Sequence, residues 1–430
     1  MRLPLLLFLL LTGVGAWADE YADLFRQAAN YAEQRKYEQA IVSYKAALKI
    51  HPGAAEALNN LAVMEYEAKH YAEAFQVAAT IWASHPELKS AALIAGMSAV
   101  QCHRPNDAIA PLKQLLSTDS ANRDALLALA SAYVALKEFS EAAPIYEEQT
   151  AHLPTDVIAW YGRAICYEQL AEEASKALST APGGAGYSKR LLAEYLQSMG
   201  DSRLAKEAFG ESESLAADSS PEAGKLYDSA RALAEKSRAA FERLTEVAPE
   251  SWQAAVFLGD VARQHGDLES AVAHYKKAAD EQPKNPAPML GLATAYWEMG
   301  DFGQASGYLH KILQLDADSQ QAIFELANIA VRQHRDKEAI PLLRKYLAAQ
   351  PDALAARADL GRAYYHLAMY KEAAQELQAA ASSDERGDIH YELSVALKKL
   401  GRNQEAEAAM AESMTLRKAQ LERERRLKAN

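Results

Sequence analysis

Apolar residues recur along most of the chain at the three- and four-residue spacing of amphipathic helices. Residues 252–285 show this pattern most clearly. One amphipathic segment ends at the turn residues Gly266-Asp267, and a second one follows and ends before Pro283. The same order returns at 286–319 and at 21–54. A helix–turn–helix unit that recurs about every 34 residues predicts a stack of helix pairs in which each unit packs on its neighbours.

Small residues near the middle of both helices explain how each pair packs. Two antiparallel helices approach closely only where one side chain is Ala or Gly, and we expect large residues such as Leu258, Tyr275 and Tyr296 to fill the neighbouring gaps. Gly-Asp pairs at 200–201, 266–267 and 300–301 predict tight turns. In such a turn Gly adopts a left-handed conformation and Asp caps the next helix.

The regular pattern fails between residues 157 and 250. Trp160, Ala164 and Tyr167 start a unit correctly, but no turn signal follows, and helix is predicted up to a glycine-rich loop at 182–186. A recognisable unit returns at 187–217, and a second turnless run covers 221–247. The favoured interpretation is two degenerate units with long or continuous helices, and a separate domain is the alternative.

The N-terminus carries a different pattern. Arg2 precedes an almost unbroken apolar run over 3–11, and Ala16-Trp17-Ala18 has the small residues of a cleavage site. This predicts a secretory signal peptide over 1–18, with a mature start near Asp19, and an uncleaved anchor is the alternative. No cysteine follows the small residues, which disfavours a lipid anchor. We therefore expect export to a periplasm or to the exterior.

The repeated units resemble the tetratricopeptide-repeat superfamily over nearly all of the chain after residue 18. The resemblance implies an all-α fold, a right-handed α-solenoid of stacked antiparallel helix pairs with no sheet. We expect an N-terminal array at 19–156, a degenerate helical segment at 157–250, a C-terminal array at 251–420 and a solvated helix end at 421–430. A signal peptide joined to a long array with a degenerate middle looks like exported bacterial proteins of this superfamily.

The charge of the chain narrows the choice of partner. The formal net charge of −12 disfavours a nucleic-acid partner, which would favour a basic stripe.

The two cysteines, Cys102 and Cys166, fall two repeats apart, which is too far for a disulfide, since its Cα atoms lie within about 7 Å of each other. No CxxC or paired His-Cys spacing accompanies them, so both are expected to be small buried hydrophobes.

Motifs of catalysis and cofactor binding do not occur in the sequence. HExxH, GxSxG, GxxxxGK[ST] and GxGxxG are all absent, and the eleven histidines are scattered. Adjacent acids such as Glu147-Glu148 point apart on a helix and indicate a solvated face. We therefore expect a protein that is not an enzyme and that has neither a cofactor nor a metal site.

In the superfamily the first helix of each unit lines a concave groove, and residues one turn apart on its inner edge face the ligand. In the C-terminal array this register selects Asp260, Arg263, Trp297, Asn328, Arg332, Arg362, Tyr365, His366, Tyr391 and Lys398. Cations and aromatic residues recur in this set, although the chain as a whole is acidic. The same register in the first units selects a more apolar and acidic set, Phe25, Glu33, Asn59, Tyr66, Glu67, Leu93, Met97 and Leu127.

Part of the superfamily clamps the terminal carboxylate of a peptide with Lys, Arg and Asn. Asn328 and Arg362 fall where two such residues would sit, although the full set is not present. Alternatively, these polar groups pair with neighbouring acids such as Asp359 and Glu298.

The favoured hypothesis is a non-catalytic exported scaffold that binds a segment of a partner protein or peptide. One alternative is a structural accessory subunit of an envelope assembly, for polysaccharide export or outer-membrane biogenesis. Another alternative is an enzyme or the regulatory arm of one, but the repeats leave no length of chain for a catalytic domain.

Overall fold

The structure is a computed structural model that describes residues 15–198, 200–215, 218–384 and 386–429. Within these residues the chain forms twenty-two α-helices, a short 3-10 helix at Ala381–Ser383 and no strand. The predicted all-α architecture of paired helices is confirmed. The helices fall into two compact units, one running to Leu191 and resuming over Ser214–Ala248, the other joining Leu192–Glu213 to the chain from Pro249 onward.

The first unit begins with four regular helix pairs. They are α1 (Gly15–Glu33) with α2 (Tyr37–Ile50), α3 (Ala55–Glu67) with α4 (Tyr71–Ser84), α5 (Lys89–Gln101) with α6 (Pro105–Thr118) and α7 (Arg123–Ala135) with α8 (Phe139–His152). Each second helix also packs on the first helix of the next pair. The core therefore extends from neighbour to neighbour, as expected for a repeat protein.

The irregular middle is built from α9 (Val157–Thr180), α10 (Ala185–Ser198), α11 (Ser202–Ser214) and α12 (Pro221–Val247). The long turnless helices predicted from the sequence are present, but α9 and α12 pack against each other as one helix pair. Ser237 of α12 donates a hydrogen bond to the backbone carbonyl of Ala164 at 3.0 Å, and Leu233 packs in the same cluster as Tyr167.

The prediction of two degenerate units with long or continuous helices is therefore wrong in one respect, since the two long helices form one pair. A single helix pair, α9 with α12, is thus interrupted in the sequence by the segment that contains α10 and α11. The two ends of this segment meet, since the Ser220 hydroxyl donates to the Pro182 carbonyl at 2.8 Å. The pairing was not predicted, because α9 contains the normal start of a repeat and α12 contains a normal end. The two helices are also separated by a long stretch of chain.

The second unit contains five consecutive regular pairs. They are α13 (Trp252–Gln264) with α14 (Leu268–Glu281), α15 (Pro286–Glu298) with α16 (Phe302–Leu315), α17 (Gln320–Arg332) with α18 (Asp336–Ala349), α19 (Leu354–His366) with α20 (Tyr370–Ala380) and α21 (Asp388–Lys399) with α22 (Asn403–Ala429). These boundaries agree with the regular units read from the sequence over 252–420.

The turns between paired helices share one geometry. Gly200, Gly266 and Gly300 have φ of 79°, 77° and 78°, and the aspartate after each accepts a hydrogen bond from a backbone N–H of the following helix. The predicted Gly-Asp turns are thus confirmed. Other repeats place non-glycine residues at a positive φ in the same turn, namely Arg35, Lys69, His103, Lys137, His334 and Ala368. The backbone closes these turns, since the residue after them donates its N–H to the carbonyl five residues earlier.

Tyr275 shows why the repeats carry small residues at fixed places. Its fully buried ring lies between Gly259 of α13 and Gly291 of α15, and a Cβ at either glycine would overlap the ring. The hydroxyl of Tyr275 donates to Asp260 Oδ1 at 2.6 Å, so the ring fills the gap between helices while its polar end is satisfied. The expectation that Tyr275 fills a gap left by small residues is confirmed.

The two cysteines agree only in part with the expectation that both side chains are small, buried and unpaired. Both cysteines are free, and burial raises the pKa of the Cys166 thiol to about 12, as expected for an inert buried thiol. Cys102 follows the end of α5 and is only partly buried, so the expectation of a buried side chain is wrong there.

Residues 1–14 of the predicted signal peptide lie outside the described residues, and α1 already begins at Gly15 within its last residues. Among the described helices, none combines the length and the apolar character that crossing a membrane requires.

Candidate functional site

The predicted groove residues lie on the first helices of the second unit. Helix α13 touches α15, α17 touches α19, and α19 touches α21, while the side chains of Trp297 and Arg332 bridge α15 and α17. Side chains on one first helix therefore reach the next.

Polar and aromatic side chains connect these first helices in series. Arg263 donates to Glu298 of α15 at 2.8 Å, and the guanidinium of Arg332 of α17 lies 4.8 Å from the centre of the Trp297 ring of α15. Arg332 also donates from Nε to Asn328 Oδ1 at 3.1 Å.

The series continues toward the C-terminus. Asn328 donates to Asp359 of α19 at 3.2 Å, and Arg362 pairs with Asp359 at 2.8 Å and with Glu392 of α21 at 3.3 Å. Arg417 of α22 then lies 5.0 Å from the centre of the Tyr391 ring. We call this set the polar ladder; its members are Arg263, Trp297, Glu298, Asn328, Arg332, Asp359, Arg362, Tyr391, Glu392 and Arg417.

Asn328 and Arg362, the two residues placed at the positions of a carboxylate clamp, converge on the same group. That group is the carboxylate of Asp359, with one oxygen accepting from each residue. A side chain of the protein itself thus lies where the clamp would hold the terminal carboxylate of a peptide. The arrangement shows that the two residues can recognise a carboxylate together, and that a ligand would have to displace Asp359 or bind beside it.

Around Arg362 the acids of the polar ladder are less exposed than the cation that they bind, whereas Arg263 and Glu298 are about equally exposed. The side chain of Arg362 keeps 30% of its accessible surface, against 10% for Asp359 and 17% for Glu392, and Arg332 is exposed. Burial raises the pKa of Asp359 and of Glu392, and the charge of Arg362 opposes this for both. The acids therefore act as anchors that hold the guanidinium groups toward solvent.

The other predicted residues have different neighbours. Asp260 faces α14, where it accepts from Tyr275, and burial raises its pKa. Tyr365 packs near Tyr370, Lys398 is exposed near the end of α21, and His366 points to the turn before α18. The structure thus places Arg263, Trp297, Asn328, Arg332, Arg362 and Tyr391 in one series and leaves Asp260, Tyr365, His366 and Lys398 outside it.

The corresponding register of the first unit has another character. Leu93 of α5 and Leu127 of α7 are buried in one apolar cluster, and α3, α5 and α7 contact one another directly. One polar link occurs there, from the Ser90 hydroxyl to Asn59 Oδ1 at 2.7 Å. These leucines join first helices and do not line an open surface.

A cleft of about 340 Å³ lies away from the polar ladder, between α18, α19 and α20. Its walls carry Arg344 and Arg357 together with Glu372 and Glu376, and Arg357 pairs with Glu376 at 2.9 Å. A small and strongly charged cleft differs from the mainly apolar cavities that bind small molecules. The polar ladder is therefore the stronger candidate for a functional surface.

Three possible metal ligands also meet in this unit. One donor atom each from His334, Asp336 and His366 lies within 4.8 Å of the others. No metal site was expected from the sequence, because metal-binding motifs place their ligands at short fixed spacings, whereas this cluster joins the turn of one repeat to the helix end of the next.

Sequence models described as tetratricopeptide repeat match most of the chain. They cover residues 25–86, 99–162, 222–286, 262–329, 324–387 and 387–420. The chain belongs to the tetratricopeptide-repeat family. In the middle, the match at 222–286 joins α12 to the first pair of the second unit, and 163–221, which contains most of α9 and all of α10 and α11, is not matched.

Individual tetratricopeptide-repeat proteins resemble only parts of the chain. The peroxisomal targeting signal receptor of Kluyveromyces lactis is 28% identical over 115 residues, 26% of this chain. The matched segment spans 20% of the receptor's length.

Among solved structures, MamA 41-end from Desulfovibrio magneticus RS-1 is 22% identical, with a TM-score of 0.37, and covers 39% of this chain and 96% of its own. YrrB, a tetratricopeptide-repeat protein with an unusual peptide-binding site, is 19% identical, with a TM-score of 0.37, and covers 41% of this chain and 91% of its own.

Proposed function

We propose that this tetratricopeptide-repeat protein is a non-catalytic exported scaffold that binds a segment of a partner protein on the face formed by α13, α15, α17, α19 and α21. The observation that supports this most directly is the polar ladder. It holds cations and aromatic rings at defined positions on the five first helices and on α22, in a chain whose net charge is negative. A preformed surface limits the ordering that binding requires on the protein side.

The chemistry of the polar ladder favours a segment with carboxylates. Arg332 is exposed and lies over Trp297, and Arg362 directs its Nη1 and Nε atoms to Asp359 and Glu392. A guanidinium has five N–H donors, so Arg362 keeps further donors for a ligand while its anchors stay in place. Arginine binds carboxylates with two parallel hydrogen bonds, which fixes the orientation of the bound segment as well as its position.

The proposal also includes export. It rests on the N-terminal pattern, namely Arg2, the apolar run at 3–11 and the small residues of Ala16-Trp17-Ala18. The intact mass of the chain recovered from the cell envelope checks this part, since removal of residues 1–18 would leave a chain that starts at Asp19. A full-length chain found in the cytoplasm would contradict export without affecting the binding face.

The binding face is tested with charge-reversal variants. Wild type, the Arg332→Glu variant, and the double variant Arg332→Glu with Arg362→Glu are immobilised, and the proteins that each captures from envelope extract are quantified. A control double variant, Arg238→Glu with Arg243→Glu, reverses two exposed cations on α12, a helix that carries no member of the polar ladder. Circular dichroism establishes that every variant remains folded.

We expect the partner to be retained by wild type and by the control, weakened by Arg332→Glu and lost by the double variant. Overlapping peptides of the captured partner should then locate one bound segment with acidic residues. Equal capture by all variants would remove the polar ladder from consideration as the binding surface.

A further inference from the structure

The cluster of His334, Asp336 and His366 joins two repeats. His334 lies in the turn after α17, Asp336 is the first residue of α18, and His366 is the last residue of α19. His366 Nδ1 lies 3.0 Å from Asp336 Oδ1, and the ring centres of His334 and His366 are 4.9 Å apart. Two imidazoles and one carboxylate thus meet at one point on the surface.

Asp336 occupies a position that is apolar in most of the other regular repeats. The second helix elsewhere begins at Tyr37, Tyr71, Pro105, Phe139, Leu268, Phe302 and Tyr370, and in the last repeat at the uncharged polar Asn403. Several of them pack on the hydrophobic core, whereas Asp336 brings a carboxylate to that place and is only 5% exposed. A buried carboxylate is unfavourable unless it is paired or binds a metal, so the substitution of an acid for an apolar residue at this place calls for a cationic partner.

We propose that His334, Asp336 and His366 bind a late first-row divalent cation such as Zn²⁺. Imidazole nitrogens favour this class of metal over Mg²⁺ and Ca²⁺, and a single carboxylate commonly completes such a set. The three side chains leave at least one coordination position open toward solvent, as in zinc sites that hold a water molecule.

The geometry requires little movement. Ligand atoms around a tetrahedral Zn²⁺ stand about 3.3 Å apart, since each metal–nitrogen bond is about 2.0 Å long. His366 Nδ1 and Asp336 Oδ1 already lie 3.0 Å apart, and the metal would take the place of the proton between them. One ring nitrogen of His334 lies within 4.8 Å of each of the other two ligand atoms. Because His334 is exposed in the turn, a rotation of its side chain brings this nitrogen to the metal as the third ligand.

The charges around the cluster also favour a cation. Glu392 on α21 interacts electrostatically with His366, and it also pairs with Arg362 at 3.3 Å. Arg335, next to Asp336 in sequence, is directed to Glu338 at 2.7 Å. Of the two cations next to Asp336 in sequence, Arg335 is thus paired with an acid of its own, and Lys337 is exposed.

The experiment measures Zn²⁺ binding to the full chain without an affinity tag, after treatment with EDTA and desalting. Equilibrium dialysis gives the stoichiometry and the dissociation constant for wild type, Asp336→Leu, His366→Ala and His103→Ala. The Asp336→Leu variant restores an apolar residue of the kind found at Leu268, so it should fold. His103 is the matched control, because it occupies the same turn with φ of 58°, against 56° for His334, and Pro105 stands where Asp336 would be.

We expect one Zn²⁺ per wild-type chain, at least about tenfold weaker binding in Asp336→Leu and His366→Ala, and unchanged binding in His103→Ala. Zn²⁺ should also raise the thermal unfolding midpoint of wild type and leave that of Asp336→Leu unchanged. The absence of saturable Zn²⁺ binding by wild type, or equal binding by wild type and Asp336→Leu, would overturn the proposal. Neither outcome bears on the polar ladder, which the capture experiment tests separately.

Discussion

The two units use the same helix pairs but join their first helices in different ways. In the first unit, buried leucines such as Leu93 and Leu127 link α5 and α7 within one apolar cluster. In the second unit, Arg263, Asn328 and Arg362 reach from one first helix to acids on the next. Leucine contacts close the face between helices, whereas ion pairs hold it together and leave cations in contact with solvent. A repeat array can thus vary the chemistry of this face without changing its fold.

The largest expected change in stability comes from truncating a buried leucine that joins first helices in the first unit. Leu127→Ala should lower the free energy of unfolding by about 2–4 kcal/mol, because it removes buried methyl groups and leaves a cavity. Urea unfolding followed by circular dichroism measures the change. Val42→Ala on α2 serves as the control, since Val42 is 68% exposed, and it should change the same quantity by less than about 0.5 kcal/mol. Equal effects of the two variants would contradict an apolar link.

An intermediate effect is expected from removal of a cation of the polar ladder. Arg362→Ala leaves Asp359 and Glu392 mostly buried without their shared partner, and should lower the free energy of unfolding by about 1–3 kcal/mol. Neutralising the two acids as well, with Asp359→Asn and Glu392→Gln, should recover most of that loss. The same urea titration measures both variants. A triple variant as unstable as Arg362→Ala would show that packing of the arginine, and not its charge, joins the helices.

The smallest effect concerns the turns, where the two units should behave alike. Lys137 in the first unit and Ala368 in the second have φ of 61° and 57°, a conformation that glycine adopts without strain. Lys137→Gly and Ala368→Gly should each raise the free energy of unfolding by about 0.5–1 kcal/mol, because relief of the strain exceeds the added freedom of the unfolded chain. Thermal unfolding midpoints measure the change. Opposite signs in the two units would show that they differ in more than their first-helix faces.

The sequence predicted the parts of the structure that depend on neighbouring residues. Local spacing predicted the regular pairs over 252–420 and the Gly-Asp turns at 266–267 and 300–301. It also predicted that Tyr275 fills the gap between neighbouring helices. The positive φ of Lys137 or Ala368 was not predicted, because in those turns the backbone hydrogen bonds impose a conformation that the side chain does not favour.

The parts that were missed depend on residues far apart in the chain. Helix periodicity shows where α9 and α12 begin and end, but it does not show that they pair across an inserted segment. The register of the first helices found most cations of the polar ladder, whereas Glu392 was not singled out, because an exposed-looking acid becomes an anchor only when the next helix packs beside it. The cluster of His334, Asp336 and His366 was missed for the same reason.

The inserted segment has a consequence for how the chain folds. The regular repeats pair helices that follow each other directly, so folding can begin at any of them and spread to its neighbours. The pair of α9 and α12 has to bring Ser237 to Ala164, residues that are 73 positions apart. Closing such a long loop has a larger entropic penalty than closing a tight turn, and contacts of this separation form slowly. Completion of the first unit therefore waits on a single long-range encounter, while the five repeats after Trp252 can form by short-range steps.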